Sequence, residues 1–165
     1  MQSAKDSFYV TLRNRLSEAN PERTVVVDGV ARPAVVVDEN ESADLSSLDG
    51  AFRLQWGACT GVGSGSRLMK MDCTIRYATR GVDGSNGDRG RTLCGMDAEL
   101  VSISQPLRTP KTDYSMIPAK STGTMVFWTE LQFGTPKDEA GRLEREAKTT
   151  VYFFSSTVEE MEGQG

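Results

Sequence analysis

Histidine is missing from this chain of 165 residues. That removes Ser-His-Asp and Cys-His catalysis and takes away the most versatile metal ligand. Carboxylate, lysine or thiol chemistry stays open, so the gap argues against an enzyme without excluding one. Cysteine is scarce: Cys59, Cys73 and Cys94 are the three present. Their odd number and their spacings match neither a zinc nor a thioredoxin pattern, and free thiols in a reducing compartment are expected. No apolar run approaches the roughly 20 residues that span a bilayer, so no membrane partner is expected. The N-terminus, Met1-Gln-Ser-Ala-Lys-Asp6, lacks a basic region followed by an apolar core, and no secretory signal is expected. Excess positive charge is missing too. A net charge of −4 gives no general electrostatic reason to seek nucleic acid, and no direct nucleic-acid binding is expected.

What is present suits one soluble domain over residues 1–165, with 38 % apolar and 25 % charged residues and length for one core. The most informative stretch is Leu68 to Ile103. Met69, Met71, Cys73, Ile75 and Tyr77 alternate with Lys70, Asp72, Thr74 and Arg76, so one strand face packs on a core and the other meets water or a partner. A loop rich in glycine and charge follows, Arg80-Gly-Val-Asp-Gly-Ser-Asn-Gly-Asp-Arg-Gly-Arg91. Leu93, Met96, Leu100 and Ile103 then fall at helical spacing, predicting a helix from Arg89 to Ser104.

Elsewhere, Phe8, Leu12 and Leu16 predict a helix over Ala4–Ala19, with Ser3 and Asp6 as a loose capping box and Asn20-Pro21 as the stop. Thr24–Val27 and Ala34–Val37 read as strands joined by a loose hairpin around Asp28-Gly29. An acidic linker runs from Asp38 to Asp49. Phe52–Trp56 reads as a strand that forms a hairpin with the long strand across Gly61–Ser66. Gln105 to Gly123 shows no period and reads as a long loop. Met125–Phe133 reads as an interior strand, Gly134–Arg145 as a polar excursion, and Ala147–Ser155 as the last strand. An acidic, frayed tail is expected from about Val158. The fold class is therefore α+β: a mainly antiparallel sheet of five to six strands with two helices on one face.

Chemical motifs are weak. In the 80–91 loop, the spacing from Gly84 to Gly90-Arg91-Thr92 is one residue too long for a phosphate cradle, and arginine stands in place of lysine. Asp83, Ser85, Asn86 and Asp88 faintly suggest a calcium loop, but the closing glutamate is missing. Asp97 and Glu99, at i and i+2, cannot face each other on a helix, while Asp138 with Glu139 and Glu144 with Glu146 read as solvated charge. Trp56 and Trp128 read as core aromatics, and Arg76, Arg80, Arg89, Arg91 and Arg108 as scattered surface charge. No cofactor and no metal are expected.

The order of elements carries more. An amphipathic N-terminal helix is followed by Val25-Val-Val-Asp-Gly-Val-Ala-Arg-Pro-Ala-Val-Val-Val-Asp-Glu39, a hairpin ending in Thr74-Ile-Arg-Tyr-Ala-Thr-Arg80, a helix, and an aromatic strand Val151-Tyr-Phe-Phe154. This order resembles the tail-terminator and minor tail proteins of long-tailed bacteriophages or prophages. The resemblance implies a structural protein of virion assembly and no enzyme. It implies a ring homo-oligomer, typically a hexamer, that caps the tail tube and meets the tail-tube and head–tail connector proteins. It places the protein in the host cytoplasm during assembly and then in the virion tail. Segments 105–123 and 134–145 look longer than a minimal member needs, which leaves a neck, tail-tube or baseplate role open.

Independently of the resemblance, alternating charges suit a head-to-tail interface. Arg80, Asp83, Asp88, Arg89, Arg91 and Arg108 are the candidate interface residues, with Asp88 or Arg89 expected to cross to a neighbour. Two other readings compete with assembly. One is a small-ligand or cation-binding module using the 80–91 loop, and the other is an enzyme using carboxylates beside the sheet.

Overall fold

A computed structural model describes residues 1–40, 49–82 and 88–155. The chain folds as α+β. Helix α1 (Gln2–Ala19) precedes β1 (Thr24–Val27), β2 (Val30–Pro33) and β3 (Val35–Val37). After a 3-10 turn at Asp38–Asn40 come β4 (Phe52–Gly61), β5 (Leu68–Thr79) and α2 (Arg89–Ile103). The last strands are β6 (Arg108–Asp113), β7 (Lys120–Trp128), β8 (Gln132–Phe133), β9 (Lys137–Glu139) and β10 (Arg142–Phe154). Strands β1 and β2 pair only with each other, and the main sheet runs β3-β4-β5-β10-β7-β6, with β8 and β9 also on β10. Its path thus holds six strands, and the two short ones extend the line begun by β7. All its pairings are antiparallel except β3 with β4.

Alternation in β5 decides the sheet's faces. Met71, Cys73, Ile75 and Tyr77 are buried, while Lys70 and Asp72 are exposed and Thr74 and Arg76 half-buried. Directly opposed residues share a face, so Ala147, Thr149, Val151 and Phe153 of β10 join the inner set. The helices complete this core. Phe8, Leu12 and Leu16 recur at four-residue steps and are fully buried. Leu93, Met96, Leu100 and Ile103, three or four residues apart, are likewise buried on α2. Trp128 joins them, donating its indole N–H to the Ser104 carbonyl at 3.0 Å, and Trp56 packs edge-to-face on Phe8. Both tryptophans thus serve the core, as the sequence suggests.

Four local expectations change. The capping box does not form: Met1 caps α1, and Ser3 lies inside the helix, where its carbonyl accepts the Ser7 hydroxyl at 2.6 Å. Asp28-Gly29 makes a two-residue turn, with φ of 51° and 79°, and joins Thr24–Val27 to Val30–Pro33 instead of to the valine run beyond. Positive φ at both positions matches the twist of paired strands, so the tight turn captures the nearer segment. Val35–Val37 is left to run parallel to β4 and is buried throughout. Residues 105–123 contain β6 and the start of β7, because an edge strand tolerates Pro110, where the register shifts. Residues 134–145 contain β9 and its turn into β10 at Ala140-Gly141, again with two positive φ values of 51° and 79°. The linker at 41–48, the loop centre at 83–87 and the tail from Val158 lie outside the described residues.

Candidate functional site

The outward face of β4, β5 and β10 is an ion-pair ladder built by strand register. Arg53 and Arg76 stand directly opposite, a like-charge pair that acids on either side relieve. Arg53 meets Asp38 at 3.2 Å. Arg76 donates to Glu144 at 3.0 Å and lies 3.6 Å from Glu146. Glu144 and Glu146 are thus tied to a cation and are not free solvated charge. Beside them an open groove of about 480 Å³ is lined by Arg76, Lys137, Glu144, Glu146 and Lys148 together with Phe133. Its charges of both signs lie interleaved, which suits a protein surface better than a cleft for one ion.

The acidic residues of α2 also divide. Asp97 accepts the Tyr77 hydroxyl and forms an ion pair with Arg145 Nε at 3.0 Å. Burial, and then the hydrogen bond to Asp97, push the Tyr77 phenol well above its ordinary range. Glu99 instead takes Arg23 in a bidentate pair at 2.6 and 3.1 Å, and Arg23 also donates to the Gly50 carbonyl at 3.1 Å. Both acids fasten α2 to its surroundings. The two are not brought together as an acid–base pair.

Of the sequence-selected interface residues, Arg80 and Arg89 make side-chain ion pairs within the chain. Arg80 pairs with Asp49 at 2.9 Å, and Asp49 also takes Arg142 at 3.2 Å. Arg89 grips Asp138 through both terminal nitrogens at 3.2 and 3.0 Å. That contact raises the Arg89 pKa and holds the Asp138 carboxyl below the ordinary carboxylate range. Asp138 is therefore partnered, contrary to its reading as solvated charge. Asp88 caps α2 through its carbonyl, which accepts the Thr92 N–H at 2.8 Å. Arg91 is exposed on the first turn of α2, and Asp83 lies outside the described residues. Arg108 does not join them. It stands across from Phe127, which opposes Tyr152, which opposes Lys70. Lys70 lies near the start of β5 and Arg80 just past its end, about 33 Å apart at strand rise. The loop and Arg108 belong to opposite ends of the sheet.

Sequence reasoning missed two features. One is Lys111, 1 % exposed, which donates to the Phe154 carbonyl at 2.6 Å with its ammonium 5.8 Å from the Phe153 ring centre. It ties the edge strand to the end of β10. The other is the β6–β7 tip, Tyr114-Ser-Met-Ile-Pro-Ala119, where Ile117 is fully exposed and Tyr114 and Met116 are more than 40 % exposed. Three apolar side chains within four residues of a turn are the signal that was available. No cluster of His, Cys, Asp and Glu among the described residues could hold a metal. No described helix is long and apolar enough to cross a membrane.

No protein-family model matches this chain, and no curated protein matches its sequence. A solved structure whose name carries no functional word is similar, with a TM-score of 0.51 and 12 % identity, over 94 % of this chain and 95 % of the other. At that identity the likeness is one of fold alone.

Proposed function

We propose that this chain is a structural assembly protein of a phage or prophage tail, which caps or joins the tail tube by forming a ring of like copies. The observation that carries the reading is where its exposed apolar groups lie. The most exposed of those in regular structure or its turns sit at hairpin ends, with Val26 and Val30 64 % exposed beside the β1–β2 turn and Ile117 fully exposed at the β6–β7 tip, while Val101, Met125, Phe133 and Phe154 are less exposed and lie elsewhere. The groove of about 480 Å³ is lined mainly by charged side chains of both signs, Arg76 paired with Glu144 among them, with Phe133 at its wall. Apolar projections at loop ends serve contact with other proteins, because water penalises them until a partner covers them. Two helices on one sheet face leave the opposite face and the hairpins to partners. The order of elements supports the same reading. The partners are further copies of the chain, the tail-tube protein and a head–tail connector, met in the host cytoplasm and carried into the virion.

Electron microscopy of the purified chain, alone and mixed with tail tubes, tests the proposal. Closed rings, or density capping tube ends, are the expected outcome. A chain that remains monomeric in both settings overturns it.

A further inference from the structure

The β6–β7 hairpin carries a projection at one end and a recess at the other. The projection is the tip, with Ile117 wholly in solvent and Tyr114 and Met116 beside it. The recess lies just past the far end of β7. It is a hollow of about 240 Å³ walled by Val101 of α2 and Leu131, with Ser104, Gln105 and Glu130 also lining it. Val101 is 44 % exposed there. Strand β7 spans Lys120–Trp128, so projection and recess stand about 30 Å apart in one copy.

Charge repeats the polarity. At the tip end, Asp113 opposes Lys120 across the two strands. At the recess end, β6 begins with Arg108, and Glu130 follows β7. Setting the tip of one copy against the recess of the next brings Lys120 towards Glu130 and Asp113 towards Arg108. The C-terminal end of α2, at Ile103, adds the negative pole of a helix dipole where Lys120 would arrive. Unlike ends that match in shape and charge define a heterologous contact, which closes into a ring when the rotation allows.

We infer that Ile117 of one copy docks between Val101 and Leu131 of the next, with Lys120 and Glu130 paired across the contact. This rests on the ring-forming reading above and names the surface that makes the ring. Both key side chains are exposed, so changing them leaves the fold intact, which circular dichroism checks.

The test uses the full chain under the conditions in which rings form. Ile117→Cys and Val101→Cys are made separately, each with Cys94→Ser. Mixed and oxidised, they should yield a cross-linked pair that neither gives alone. Ile117→Asp should raise the concentration for half-assembly in sedimentation at least tenfold. Lys120→Glu and Glu130→Lys should each weaken assembly, and the double variant should restore it. Rings that persist in Ile117→Asp, with no cross-link in the mixture and no charge-swap rescue, overturn this docking and leave the ring reading standing. A native chain that forms no ring in any setting overturns both.

Discussion

Asp97 shows how much a single side chain settles here. It lies between the Tyr77 hydroxyl and Arg145, and Tyr77 is 2 % exposed. Asp97→Ala would leave a buried hydroxyl without its acceptor. Its expected cost is about 1–3 kcal/mol, read as a lower urea midpoint. The pH response follows from the raised phenol pKa. Burial and the neighbouring carboxylate disfavour phenolate in the folded state, whereas the unfolded chain ionises near the ordinary value of about 10. Stability from this group is therefore complete below that value and drains away as pH climbs beyond it. Tyr77→Phe should flatten the alkaline decline in unfolding free energy, as measured by urea titration across pH 9 to 11 (about one unit either side of the phenol's ordinary pKa). Cysteine accessibility gives a second check. Cys94 is exposed, while burial pushes the Cys73 thiol up and shields it. A bulky thiol reagent should label Cys94 in the native protein and Cys73 only after unfolding.

At the scale of elements, two tight turns govern the register. Gly29 has φ of +79° with open space around its missing Cβ, and Gly29→Ala should cost about 1 kcal/mol through backbone strain alone. Thermal unfolding of the full chain reads that loss. Leu12→Ala, in the fully buried stripe of α1, should cost more, about 2–5 kcal/mol. These two substitutions also mark what was legible. Leu12 and Leu100 announce their helices by spacing, and Met71 to Tyr77 announce a strand by alternation, because burial imposes those periods directly. Strand β6 was illegible because Arg108-Thr-Pro-Lys-Thr-Asp113 is polar and includes a proline. Its pairing depends on β7, on Ser7, whose hydroxyl accepts the Thr112 N–H at 2.9 Å, and on the buried Lys111. Long-range partners of that kind leave no local pattern. The valine run misled for a related reason. Three valines look equally suited to either neighbour, and only the turn geometry at Asp28-Gly29 separates them.

For the whole molecule, the arginines at the ends of the glycine-rich loop are held by acids of the same chain. Arg80, Arg89 and Arg76 each hold an internal acid, so the glycine-rich loop is tethered at both its ends by the protein's own carboxylates. The candidate interface selected from sequence therefore splits. Arg108 stays with the β6–β7 hairpin, while Arg80 and Arg89 brace the opposite end of the sheet. Asp138→Asn should release Arg89 without unfolding the domain, since Asp138 is exposed. Its readout is assembly: the half-assembly concentration should stay near that of the parent chain, because this end is not the proposed contact.

Strand β10 occupies the middle of the sheet between β5 and β7, yet it is the last of these strands in the chain. Both of its neighbours precede it in the chain, so neither can complete its pairing until β10 is made. Until residues 142–154 emerge, the aromatic and aliphatic faces awaiting Val151 and Phe153 stay open to chaperones and proteases. Completion of this sheet thus turns on one late insertion, and a chain ending before residue 142 should show no cooperative thermal unfolding.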